Sequence, residues 1–180
     1  MSRLTDEIRA DYLRYQPRGS ASLAQVLVLC LHRPGMVACV ILRVQNMFFR
    51  HRWFAAAGIC RAINLATTGC DFVPGCVIGT GLRLEHPSGI VVGYDAVVGA
   101  NCTLLQQATL GALHGDREGQ ATPVLEDDVV VGAGARILGG VRIGHGASIG
   151  ANAVVLIDVP AGATAVGVPA RILPTKPTSD

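Results

Sequence analysis

Val131-Gly132-Ala133-Gly134-Ala135-Arg136-Ile137-Leu138-Gly139-Gly140-Val141-Arg142-Ile143-Gly144-His145-Gly146-Ala147-Ser148-Ile149-Gly150-Ala151-Asn152-Ala153-Val154-Val155 returns an aliphatic residue at every sixth position. The row is Val131, Ile137, Ile143, Ile149 and Val155, and Ala135, Val141, Ala147 and Ala153 form a second small or apolar row four places on. No helix has period six, and an ordinary strand has period two. A six-residue repeat held this long predicts a parallel β-helix, short strands stacked coil on coil. The pattern extends back through Leu125 and, beyond an interruption, through Phe72, Ile78, Leu84, Ile90, Ala96, Cys102 and Ala108. That is about four three-faced coils, a prism roughly 20 Å tall at the usual strand spacing. A β-sandwich would not hold the phase, because its strands alternate by two.

Composition fits this fold. Twenty-two glycines suit tight corners, and an aromatic content of 4% suits a core too narrow for rings. The six cysteines (Cys30, Cys39, Cys60, Cys70, Cys76, Cys102) show neither a CxxC nor a zinc-like spacing and read as reduced core thiols of a cytoplasmic protein. Met1 to Arg18 is polar and charged, unlike a signal peptide. The longest apolar run, Leu23 to Leu31, is too short for a membrane span. Net charge is only +2, and no recognition motif appears, so nucleic acid is not an expected partner.

Charge divides the chain at about residue 68. Residues 1–68 carry nine Lys/Arg against three Asp/Glu, and residues 69–180 carry six against ten. The first part lacks the hexad and predicts helices over 3–14, 22–31 and 36–52. Arg43, Arg50, His51 and Arg52 lie near Phe48, Phe49, Trp53 and Phe54, a composition also compatible with a helix on a membrane surface. A cap on the open end of the β-helix is the favoured reading, since repeat arrays need their ends covered. The expected organisation is a helical segment over 1–68, a β-helix over 69–173 and a flexible tail over 174–180.

The candidate chemistry lies in Gly69-Cys70-Asp71-Phe72-Val73-Pro74 and in Leu84-Glu85-His86-Pro87-Ser88-Gly89-Ile90-Val91-Val92-Gly93. A neutral imidazole suits the removal of a hydroxyl proton near pH 7, and a carboxylate on its other nitrogen would fix the tautomer. His86 and Asp71 supply those groups, although spacing alone does not bring them together. The interruption between Ala108 and Leu125 predicts a projecting loop. His32, His51 and His145 read as structural or solvent-facing, and the few histidines of the repeat make a metal site improbable.

These segments resemble the serine acetyltransferase family, which carries Val/Ile-Asp-Ile-His-Pro followed by Asp-His-Ala-Thr-Gly-Ile-Val-Val-Gly. The resemblance continues through Gln107-Ala108-Thr109-Leu110-Gly111, Gly132 to Gly139 and Ala165 to Arg171, and covers about residues 69–173. It implies a mainly β fold, a left-handed parallel β-helix with an N-terminal helical cap, assembled as a homotrimer. It implies acetyl-CoA as co-substrate with no metal, His86 as general base and Asp71 as its partner. Glu85, Arg117 and His114 would then contact the acceptor. Gly111, Ala112, Gly132, Ala133, Ala170 and Arg171 would contact coenzyme A.

The expected activity is O-acetylation of L-serine, with a saccharide or other small hydroxyl compound as the alternative acceptor. A non-catalytic hexapeptide scaffold or a carbonic-anhydrase-like metal protein is a weaker third reading. The departures concern the acceptor. Thr122 stands before Pro123 where the family's loop has histidine, Glu85 replaces aspartate, and Gln16 precedes Pro17 where the family has an acidic residue. The family's C-terminal isoleucine tail has no counterpart here, so no complex with the next enzyme of cysteine synthesis is expected.

Overall fold

The computed structural model describes residues 3–113 and 122–173. Four helices come first: α1 Arg3–Tyr15, α2 Leu23–His32, α3 Pro34–Arg50 and α4 Phe54–Thr68. Ser22 caps α2 through its hydroxyl, and Gln25 returns the bond to the Ser22 amide. Pro34 begins α3 rather than merely breaking the preceding helix, because the first helical position needs no N–H donor. Gly69 ends α4 in the left-handed conformation at φ 75°, its N–H donating to the Leu65 carbonyl. Helix α4 is one element more than the expected three.

Fifteen short strands follow, from β1 Asp71–Phe72 to β15 Arg171–Ile172. They form three sheets, of five strands (β1-β4-β7-β10-β13), four (β11-β8-β5-β2) and six (β15-β14-β12-β9-β6-β3). All pairings are parallel except β14 with β15. The columns Phe72–Val92–Leu110–Ile137–Val155, Ile78–Val98–Leu125–Ile143 and Leu84–Leu104–Val131–Ile149–Ala165 run through the three sheets. Val131, Ile137, Ile143, Ile149 and Val155 all point inward, as the repeat requires.

The second coil needs a correction of phase. Ile90, Ala96, Cys102 and Ala108 do not continue the strand columns of Phe72, Ile78 and Leu84; Val92, Val98, Leu104 and Leu110 do. The former belong to the corner row, with Cys70, Cys76, Leu82, Val129, Ala135, Ala147 and Ala153, and are equally buried. The row slips because eight residues, not six, separate Leu84 from Val92. The two extra residues fall at the corner occupied by His86. Burial pushes the Cys70 and Cys102 thiols up to about 11 and that of Cys76 up to about 12, which keeps these corner thiols protonated.

Helix α3 lies across the first coil. Its Gln45 donates to the Phe72 carbonyl at 3.0 Å, and its Cys39 thiol faces the Leu82 carbonyl. Gly35 sits against the Leu84 carbonyl so closely that a Cβ would collide with backbone. Arg43 is not part of a membrane-facing surface. It is 1% exposed and grips the buried Asp11 of α1 through two bonds of 2.8 Å, while donating to the carbonyls of Ile78 at 2.9 Å and Gly79 at 2.6 Å. Asp11 also accepts from the Leu82 amide at 2.8 Å. The guanidinium and carboxylate thereby join two helices to the prism. Trp53 and Phe54 remain exposed at the start of α4. At the other end of the prism, β15 turns back antiparallel on β14.

Candidate active site

Three edges separate the three sheets, and the candidate residues fall on two of them. The edge from the six-stranded to the five-stranded sheet carries Gly69, the His86–Gly89 corner, Gln106–Gln107, Ala133–Gly134 and Ala151–Asn152. Backbone bonds stack these corners, Gly89 N–H to Gly69 O at 2.9 Å, Gln107 to Ser88 at 2.9 Å, Gly134 to Gln106 at 2.8 Å and Asn152 to Ala133 at 2.8 Å. His86 and Ala133 therefore share one edge two coils apart, about 10 Å at the usual strand spacing.

His86 is exposed and holds φ 50°. The other left-handed corner residues, Asp95, Asn101, Gln107, Asp128 and Asn152, each immediately precede a corner-row residue. His86 does not; its conformation belongs to the two-residue insertion. A left-handed non-glycine residue costs about 1–2 kcal/mol, a local cost that the stacked corners on either side hold in place. The imidazole makes no hydrogen bond or ion pair with a described residue.

Asp71 begins β1 on the same edge. The Cys70 thiol beside it donates to the Pro87 carbonyl at 3.0 Å, tying the strand to the His86 corner. The Asp71 carboxylate accepts two bonds from Arg61 of α4, Nε to Oδ1 at 2.5 Å and an Nη to Oδ2 at 2.8 Å. The sequence-based expectation paired Asp71 with His86 and did not anticipate Arg61. Arg61 is the sole charge in Phe-Ala-Ala-Ala-Gly-Ile-Cys-Arg-Ala-Ile-Asn-Leu-Ala-Thr-Thr, and that isolation was the available signal.

Glu85 is half-buried and paired with Arg83, whose Nε lies 2.5 Å from Oε1. The Arg83 guanidinium also lies 5.6 Å from the centre of the Tyr15 ring and donates to the Arg14 carbonyl at 3.2 Å. Tyr15 in turn brackets Leu84, donating to its carbonyl at 3.0 Å and accepting from its amide at 2.8 Å. Burial and the neighbouring Cys39 push the Tyr15 hydroxyl well up, so it stays a neutral clamp. The end of α1 is thus docked beside Glu85, while Gln16 beyond it is exposed and faces a pocket shared with Tyr12, Ala24, Gln25 and His32.

Gly132 follows β9, where a side chain would meet the backbone of Ile149 and Ala151; its smallness serves coil stacking. Ala133 is half-exposed on the His86 edge. Ala170 points inward at 7% exposure and its amide donates to the Val154 carbonyl at 2.8 Å, while Arg171 is exposed on β15. Gly111 and Ala112 lie on a different edge, between the five- and four-stranded sheets, where the interruption also begins. His114 and Arg117 lie outside the described residues. Thr122 is buried, with no hydrogen-bond partner for its hydroxyl among the described residues. Those residues contain no cluster of three or more His, Cys, Asp or Glu side chains able to hold a metal.

The bacterial transferase hexapeptide (six repeats) family matches residues 122–156. A serine acetyltransferase of Helicobacter pylori (strain J99) is 38% identical over 146 residues, 81% of this chain and 84% of its own length. The chain belongs to the serine acetyltransferase family. The enzyme of Synechococcus elongatus is 38% identical over 92% of this chain, which spans 67% of that relative's length. Soybean serine acetyltransferase complexed with serine superposes with a TM-score of 0.83 at 36% identity, over 94% of this chain and 69% of that one. A serine acetyltransferase in complex with CoA superposes at 0.82 with 34% identity, over the same shares of each chain. The β-helix is the left-handed form of this family.

Proposed function

We propose that the protein is a serine O-acetyltransferase that moves the acetyl group of acetyl-CoA to the hydroxyl of L-serine. The observation that carries this is the match of nearly the whole chain to family structures holding serine and CoA. His86 takes the hydroxyl proton as the oxygen attacks the thioester carbonyl, and Asp71 orients the imidazole and stabilises its cation. A tetrahedral oxyanion forms against backbone N–H donors, then collapses with loss of the CoA thiolate, which takes up the proton. The transfer is direct and requires no covalent enzyme intermediate or metal.

The donor arm runs along the edge of Gly132 and Ala133, with Arg171 near phosphate and Ala170 shaping that end. His114 and Arg117 remain the proposed acceptor contacts, and Gly111 and Ala112 are expected from a neighbouring copy. This follows from the two-edge arrangement: groups on different edges of one prism meet only if another copy brings its edge across. A homotrimer closes that arrangement three times, and sedimentation equilibrium at three times the 18.7 kDa chain mass is its check. A cytoplasmic location rests on the reading of the six cysteines as reduced thiols; fractionation of cells is its check. Ala133→Trp is expected to raise the KM for acetyl-CoA at least tenfold by blocking backbone approach, with kcat at saturation largely kept; an unchanged KM would place the donor elsewhere.

A saccharide or other neutral hydroxyl acceptor is the second reading. It is favoured by the pairing of Glu85 with Arg83, which leaves less free negative charge for an ammonium group. The decisive measurement is CoA release with L-serine, homoserine and nucleotide- or lipid-linked sugars at one donor concentration. A serine kcat/KM of about 10⁴ M⁻¹s⁻¹ or more, an ordinary enzyme value, supports the first reading. Slow serine turnover beside a much faster sugar would replace it with the second.

A further inference from the structure

We infer that Arg61 is a positioning residue for the proposed transfer, fixing the Asp71 carboxylate toward the His86 corner and tuning the basicity of the pair. The inference rests on the assignment of His86 and Asp71 as base and partner. Arg61 projects from the middle of α4, ten residues before Asp71, and takes one lone pair from each carboxylate oxygen. A carboxylate has about four such sites, so the fork leaves one on each oxygen for an imidazole N–H. It also sets the plane in which those sites lie.

The frame around the fork is stiff. Helix α4 ends at Gly69, whose carbonyl accepts the Gly89 amide at 2.9 Å, and the Cys70 thiol is bonded to the Pro87 carbonyl. The helix that carries Arg61, the strand that carries Asp71 and the corner that carries His86 are therefore joined within a few residues. Asp71 is about one-fifth exposed and Arg61 about two-fifths, so solvent weakens the pair without abolishing its direction.

Other ionisable groups on the elements packed here do not compete. Cys60 of α4 and Cys70 and Cys76 of the first coil have thiols raised by burial. Glu85 of β3 is held by Arg83, and Gln45, the side chain that α3 sends to β1, is uncharged. A positive charge behind the carboxylate disfavours proton uptake by the imidazole. Removing it makes the imidazolium easier to form, so the acid limb of the activity profile moves to higher pH.

The test is the pH dependence of kcat/KM for the full chain as wild type, Arg61→Gln, Arg61→Lys and His86→Ala, with thermal melts of each. Arg61→Gln is expected to lower kcat about tenfold and to move the acid limb up by about half a pH unit or more, with the acetyl-CoA KM unchanged. Arg61→Lys restores the limb, because the charge is kept, but not the full kcat, because the fork is lost. Wild-type kcat and limb in Arg61→Gln would overturn the inference. So would a fall in kcat with the limb unmoved, which assigns Arg61 a structural role only. An active His86→Ala protein overturns the base assignment itself, whatever Arg61→Gln does.

Discussion

His86→Ala is expected to lower turnover by roughly two to four orders of magnitude, the range over which a positioned general base contributes. The acetyl-CoA KM should stay near the wild-type value, because the proposed donor contact at Ala133 lies two coils away along the edge and the corner backbone remains stacked on Gly69 and Gln107. The substitution replaces one left-handed non-glycine residue by another, so the measured loss combines that of the base with any change at the corner. His86→Asn separates the two effects: asparagine tolerates the left-handed region better than alanine but offers no base. Equal loss in both variants assigns the effect to the imidazole. Asp71→Asn should also be strongly impaired, with Arg61 left facing a neutral amide. Near-normal turnover in His86→Ala would remove the proposed mechanism.

The largest loss of stability is expected at the opposite side of the first coil. Arg43→Ala leaves the Asp11 carboxylate buried without its cation and strips two backbone carbonyls of their donors. Breaking one partner of such a pair costs about 3–5 kcal/mol. Urea unfolding should show a lower midpoint with a similar slope. The double variant Arg43→Met with Asp11→Leu should recover much of the loss, because apolar replacement of both partners removes the buried charge. An unfolding free energy for Arg43→Ala within about 1 kcal/mol of wild type, the scale of an exposed pair, would mean the pair does not hold the helices to the prism.

The sequence carried the architecture but blurred its phase. In the last coils, the strand row is Val or Ile and the corner row is mostly Ala, so size tells the two apart. In the second coil, the corner row opens with Ile90 while the strand row holds Val92 and Val98, and that contrast disappears. Both rows face the core, so periodicity alone cannot assign them, and the slip at His86 was invisible without pairing. Asp71 and His86 were singled out by their chemistry and their surrounding segments, and the structure sets both on one edge of the prism. Arg61 was not, because a helical arginine finds its partner through the packing of α4 on β1, which sequence spacing does not encode. The favoured reading of α3 as a cap holds, but the buried pair it forms with α1 was not legible, because only the fold brings Asp11 beneath Arg43.

The closures at the two ends of the prism have a consequence for solubility. Each coil offers its unpaired amides and carbonyls along the stacking axis at the spacing of an amyloid repeat. A bare terminal coil would therefore be a template on which another molecule's coil could grow, and growth of that kind has no natural limit. Helix α3 lies across the first coil, and β15, by reversing direction against β14, ends the six-stranded sheet with a strand that does not propagate the parallel register. The same stacking that makes the fold so regular within one chain is in this way kept from becoming a filament.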